Sequence, residues 1–137
     1  MSDQGGGGFS YPDVDQAIRF HYELMQRLGK EVTEAPNETR VKSTLDRAIQ
    51  MAQTQRGDMV SLTAFLMYGL IRDKPFGPES AQTGMALTMA FLLRNGAMMI
   101  ASDEEVAGVA LSIGRGEVFI GMLEPWLREC IRAMPSA

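Results

Sequence analysis

At 137 residues, with 45% hydrophobic and 22% charged side chains, the chain has the size and composition of one globular domain. Such a chain can bury roughly two-thirds of its unfolded surface. A net charge of −4 excludes a global basic field, so neither nucleic acid nor anionic lipid is expected as a partner. One cysteine, Cys130, excludes an internal disulfide framework and a Cys-based zinc site, and no metal or other cofactor is expected.

In chain order, Met1–Ser10 is Gly-rich (Gly5–Gly8) and reads as a flexible tail, with the folded domain expected over 11–134. It lacks a charged segment followed by an apolar one, so it is not expected to be a signal peptide. Asp13 with Gln16 has the spacing of a capping box. Val14, Ala17, Ile18, His21, Leu24, Met25 and Leu28 then recur at helical spacing up to a stop at Gly29. His21, the single histidine, lies on that apolar face. Without metal-ligating neighbours in sequence it is expected to be a packed, hydrogen-bonded structural residue.

Glu31–Pro36 is a connection, and Asn37 caps a second helix expected to run to about Gln55. Its apolar stripe is Val41, Leu45, Ala48, Ile49 and Ala52, with Lys42, Asp46 and Arg47 on the wet side. Arg56-Gly57-Asp58 reads as a helix stop and a helix cap, not as an adhesion motif. Met59–Arg72 is apolar nearly all round, which predicts a helix packed on every side. A Pro/Gly-rich loop follows, Lys74-Pro75-Phe76-Gly77-Pro78, then a second buried helix over Pro78–Arg94 ended by Asn95-Gly96. Gly84, Ala86 and Ala90 would let a neighbour approach it closely. Two buried helices flanked by amphipathic ones predict an all-α, compact single-domain helical bundle.

Ala97–Ala101 reads as a short extended stretch. Ser102 with Glu105 suggests another capping box, opening a helix through Val106, Val109, Ala110 and Ile113 that Gly114 and Gly116 end. The last helix carries Trp126, Leu127, Cys130 and Ile131, with Pro125 expected in its first turn. Eleven methionines predict a soft, adaptable core, or a binding groove where several are exposed. The longest apolar runs, Met59–Ile71 and Met85–Leu93, are too short to span a bilayer, and a soluble cytoplasmic protein with no membrane partner is expected.

Over about residues 13–131 these segments resemble the Fic/Doc (Fido) family, and its Doc (death-on-curing) branch in particular. IRFHYELMQRLG at Ile18–Gly29 is similar to the family's first helix. DMVSLTAFLMYGLIRDKPF at Asp58–Phe76 is similar to the helix leading into the active-site loop. FLLRNG at Phe91–Gly96 and GRGEVFIGMLEPWLREC ending at Cys130 follow in order. The resemblance implies that family's helical fold with its two central helices.

The family's loop, His-x-Phe-x-Asp/Glu-Gly/Ala-Asn-Lys/Gly-Arg, moves AMP or phosphate onto a protein. Laid on this sequence without a gap, it keeps only its phenylalanine, as Phe76. Lys74 stands at the histidine, Pro78 at the metal-binding carboxylate and Glu79 at the small residue. Ser80 stands at the asparagine, Ala81 at the lysine or glycine, and Gln82 at the phosphate-binding arginine. A lysine with an ordinary pKa near 10.4 is a poor base at neutral pH. Pro78 offers Mg²⁺ no oxygen, Glu79 sets a negative charge where phosphate would lie, and Gln82 cannot form the bidentate grip.

The resemblance thus implies a pseudoenzyme with a degenerate loop and no catalytic residues, acting as a protein-binding module with an unidentified protein partner. Candidate contacts are Lys74, Gly77 and Glu79 on the loop, with Met98, Met99 and Trp126 as secondary candidates because such side chains anchor interfaces. Two alternatives stay open. One is a non-catalytic binder of a small ligand or nucleotide in the old pocket. The other is an enzyme of altered chemistry using Lys74 with Glu79 or Asp73. An exposed methionine or aromatic groove would favour protein binding, a basic rim with an acidic floor the ligand, and a lysine buried enough to lose its proton the enzyme.

Overall fold

The computed structural model describes residues 9–54 and 57–135. The tail expected over 1–10 and the helix end expected at Gln55 therefore lie largely outside the described residues. So does the Arg56 of the Arg-Gly-Asp break. Phe9 and Ser10, assigned to that tail, belong to the folded part. Ser10 exchanges two hydrogen bonds with the Asn95 side chain, at 2.7 and 2.9 Å, and Phe9 packs against the core.

Six helices follow in order: α1 (Val14–Arg27), α2 (Glu38–Thr54), α3 (Met59–Arg72), α4 (Ser80–Arg94), α5 (Asp103–Gly114) and α6 (Ile120–Cys130). A 3-10 turn, Gly77–Glu79, precedes α4. Two short strands, β1 (Ala97–Met99) and β2 (Ile131–Ala133), pair antiparallel with Met98 opposite Arg132. The fold is an all-α single domain with this one small ribbon among the described residues.

Local chemistry accounts for the helix ends. Asp13 accepts from the Gln16 N–H at 2.8 Å while Gln16 answers to the Asp13 N–H at 3.0 Å, a complete capping box. Asn37 and Asp58 cap α2 and α3 through the N–H groups of Arg40 and Ser61. Ser102 caps α5 through the Glu105 N–H, but Glu105 does not reach back; its carboxylate instead accepts from the Trp126 indole.

α3 and α4 form the centre. Seven of the fourteen residues of α3 and eight of the fifteen of α4 are buried. Because both are apolar on more than one face, they supply two core clusters at once. The first joins them to α1 and α2 through Ala17, Val41, Leu45, Leu66, Leu70 and Phe91. The second joins them to α5 and α6 through Met67, Ile71, Met85, Ile113, Leu123 and Leu127.

Three boundaries differ from the sequence reading. The second central α-helix begins at Ser80, since the residues from Gly77 to Glu79 wind into the tighter 3-10 turn. Pro125 is inside α6 rather than in its first turn, because the helix starts earlier, at Ile120. Its missing N–H leaves the carbonyl of Gly121 without an intrahelical donor, which is tolerable because Gly121 is exposed. Ile131 leaves the helix for β2, where it pairs with Met99.

Gly84 sets the separation of the two central helices. A Cβ there would stand 2.9 Å from Ile71 Cγ1 and 3.2 Å from the backbone carbon of Leu70. Gly84→Ala gains up to about 1 kcal/mol of helix propensity, but overpacking against backbone costs about 1–3 kcal/mol. A net loss of stability on urea unfolding is expected; a gain would show slack between α3 and α4.

Candidate functional site

The loop between the central helices is fixed from both ends. Asp73, the C-cap of α3, accepts hydrogen bonds on Oδ2 from Thr44 Oγ1 at 2.8 Å and from Arg47 Nη1 at 3.0 Å, which tie it to α2. The carbonyl of buried Pro75 accepts from the Asn37 N–H at 3.1 Å. Lys74 (φ 54°) and Gly77 (φ 65°) take left-handed backbone, and between them the chain turns Phe76 inward. At Gly77 the left-handed backbone favours glycine, and a Cβ would meet only the movable end of the exposed Glu34 side chain, at 3.0 Å.

Phe76 is fully buried, as expected of a residue seating the loop on the core. Its ring stacks on His21 with centroids 4.9 Å apart and planes at 27°. Its N–H donates to Ser80 Oγ at 2.9 Å, so Ser80, itself buried, satisfies the loop rather than facing solvent. His21 is fully buried too, with Nδ1 2.7 Å from Thr83 Oγ1 on α4. Its Nε2 and the Oε1 of Glu79 are buried atoms without a hydrogen-bond partner. Burial pushes the His21 pKa below the usual histidine value of 6.5, and the negative charge of Glu79 offsets part of that fall.

Lys74, Pro78 and Gln82 are exposed. The Gln82 Oε1 accepts from Lys30 Nζ at 2.9 Å. Beside the loop lies a pocket of about 250 Å³ lined by Lys74, Gly77, Pro78 and Ser80 on one side and by Leu111, Gly114 and Arg115 of the α5 end on the other. Arg72 stands near it, with Nη1 3.3 Å from the Gly114 carbonyl. The pocket is therefore rimmed by cations and opens at the N-terminal end of α4, where the helix dipole is positive.

A larger, apolar groove of about 490 Å³ runs between α4 and α5. Met85, Met89, Val106, Ala107 and Leu111 line it, and it shares Ala81 and Leu111 with the cationic pocket. Leu111, near the end of α5 on the rim of this groove, is 49% exposed.

The structure does not gather the six candidate contacts on one surface. Lys74 and Gly77 line the cationic pocket, whereas Glu79 directs one carboxylate oxygen into the protein. Met98 and Met99 lie in β1, with Met99 half-buried against both core clusters. Trp126 is half-buried on the second cluster, with Nε1 2.8 Å from Glu105 Oε2. Arg115 and the α4–α5 groove were not anticipated. The available signals were Met85 and Met89 one turn apart and Leu111 lying off the buried stripe of its own helix. Among the described residues, no three His, Cys, Asp or Glu side chains converge as a metal-binding group, and no helix is long and apolar enough to cross a membrane. Neither a protein-family model nor a curated protein matches the chain.

Two outcomes follow from the loop. Phe76→Ala should cost about 3–5 kcal/mol, the loss expected when a fully buried aromatic is truncated; a melting curve like the wild type's would show that the loop does not depend on its plug. His21 holds its proton less well folded than unfolded, so its contribution to stability is complete above pH 6.5 and declines as pH falls below that value toward the lowered folded pKa. Between about pH 7 and about pH 5.5, the melting temperature of wild type should fall more steeply than that of His21→Gln. Equal slopes would show that His21 does not titrate differently in the two states.

Proposed function

We propose that the chain is a catalytically inactive protein of the Fic/Doc fold type, acting in the cytoplasm by binding another protein through the groove between α4 and α5. The observation that carries this reading is the groove itself, an apolar trough lined by half-buried Met89 and Val106 and half-exposed Leu111, with buried Met85 beneath. The loop supports it from the other side. Asp73 is committed to Thr44 and Arg47, Phe76 to His21, Ser80 to the Phe76 N–H and Gln82 to Lys30. Asp73 and Ser80 thereby brace the fold, where a transferase would need the polar groups of its loop on the substrate.

A second reading, a small anionic ligand held without turnover, draws on the pairing of Lys74 with Arg115 across one pocket. That pocket, about 250 Å³, falls below the roughly 300–1,000 Å³ usual for ligand sites, and it is rimmed by exposed side chains. An enzyme built on Lys74 has less support. Its side chain is exposed, and Asp73, one of its two candidate partners, is already paired.

The test has two arms. Purified protein with Mg²⁺ and labelled ATP should transfer neither AMP nor phosphate to proteins of a cell lysate. A labelled product that vanishes in Lys74→Ala would put an enzyme in place of the binding module. Affinity capture from the native cell should recover a protein that Leu111→Asp and Met89→Asp both lose. Phe119→Asp, on an exposed apolar residue outside the groove, should retain it. A partner lost only in the Phe119 variant would move the binding face away from the groove.

A further inference from the structure

Thr83, His21 and Glu79 bring three polar side chains together between α1 and the start of α4. Thr83 and His21 are fully buried, with Thr83 Oγ1 2.7 Å from His21 Nδ1. Glu79 is half-buried, yet its Oε1 is turned away from solvent without a hydrogen-bond partner, as is His21 Nε2. The charge of Glu79 acts on the His21 ring, so the two side chains are neighbours.

An acid in this place has other options. Glu79 is the N-cap residue of α4, but its side chain makes no capping bond. Among the described residues it joins no ion pair, although Lys74 stands exposed on the same loop. Pro78 and Ser80, on either side of it, line the cationic pocket, and Glu79 does not. An inward carboxylate oxygen is costly unless a donor meets it.

The hydrogens available select that donor. Thr63 and Thr88 send their hydroxyl hydrogens to carbonyls one turn back, at 2.7 and 2.8 Å. Thr83 makes no such bond, and its one partner among the described residues is His21 Nδ1. With the ring proton on Nδ1, Thr83 can only accept. Its own hydrogen, the Nε2 lone pair and the carboxylate oxygen are then all left over. With the proton on Nε2, Thr83 donates to Nδ1, and Nε2–H is free for an oxygen that only accepts. One arrangement serves every group and the other strands three.

We infer that His21 is a latch: it carries its neutral proton on Nε2, gives that hydrogen bond to Glu79, and holds the Glu79 charge inside the domain, away from the rim formed by Lys74 and Arg115. His21 is thus a positioning residue. The charge of the rim is set by a side chain that does not line it, whatever the neighbouring groove binds.

His21 is the only histidine, so its ring signals need no assignment. At neutral pH, long-range nitrogen–proton spectra of the isotope-labelled full chain should show a protonated Nε2 and a bare Nδ1. The Nε2 proton should exchange slowly with water and move upfield in Glu79→Ala, where its acceptor is gone. A proton on Nδ1, or an Nε2 proton whose shift is the same in Glu79→Ala, would overturn the latch. The rim is read separately, from relaxation of the Gly77 and Ala81 amides by a cationic and an anionic nitroxide. Glu79→Ala should make the potential there more positive by a larger step in the His21→Phe background than in the wild type, because the released carboxylate then stands outside. Equal steps would overturn the control of the rim. The ring spectra use no His21 variant, so they decide the latch even where His21→Phe fails to fold.

Discussion

The insertion of Phe76 between α1 and α4 is the contact on which the middle of the molecule depends. The loop that carries it is short, and it must turn the chain between two helices that Gly84 holds nearly backbone to backbone. Burying the ring against His21 fixes where the loop sits, and the bond from its N–H to Ser80 fixes where α4 begins. Lys74 is left in a left-handed conformation as a consequence, at a cost of order 1–2 kcal/mol for a residue with a Cβ. Burial of a phenylalanine side chain, worth about 1.5–3 kcal/mol before its packing contacts are counted, is large enough to offset that strain.

The same contact explains why a buried histidine is tolerated. His21 supplies a flat face for Phe76 and one nitrogen for Thr83, and it remains neutral because burial disfavours its charged form. Glu79 lies close enough for its charge to be felt at His21, yet each leaves one polar atom unpaired. An apolar residue at position 21 would avoid the desolvation but would strand the Thr83 hydroxyl on a central helix. The histidine is thus coupled to three elements at once, α1, the loop and α4.

The helices could be read from periodicity because their burial is stated locally. α3 and α4 are apolar nearly all round, and Asp13, Asn37, Asp58 and Ser102 cap helices in the way their side chains allow. The burial of His21 and Phe76 was legible for the same reason. Pro125 was misplaced because proline marks a first turn only as a preference, and the start at Ile120 has no polar side-chain cap to announce it. Strand β2 was missed because its pairing depends on β1, far away in the chain. The groove was illegible for a related reason. Met85 is indeed core, 5% exposed, and only the placement of α5 leaves half-buried Met89 on the wall of an open trough. Arg115 likewise reads as a residue between two glycines until the fold brings it opposite Lys74.

Inward-facing and outward-facing roles therefore fall to different residues of one short segment. Phe76, Ser80 and Thr83 point inward and hold α4 in place, whereas Lys74, Gln82 and the outer face of α4 carry no part of the core. In an enzyme the loop's polar groups would have to serve both ends, since a base or phosphate grip must be rigidly held and yet face the substrate. Here the inward residues have taken all the bracing, which leaves the outward ones free to vary in charge without loss of fold. The cation at Lys74 shows the division, for it follows the C-cap of α3 and suits the negative end of that helix while it stands beside the positive start of α4.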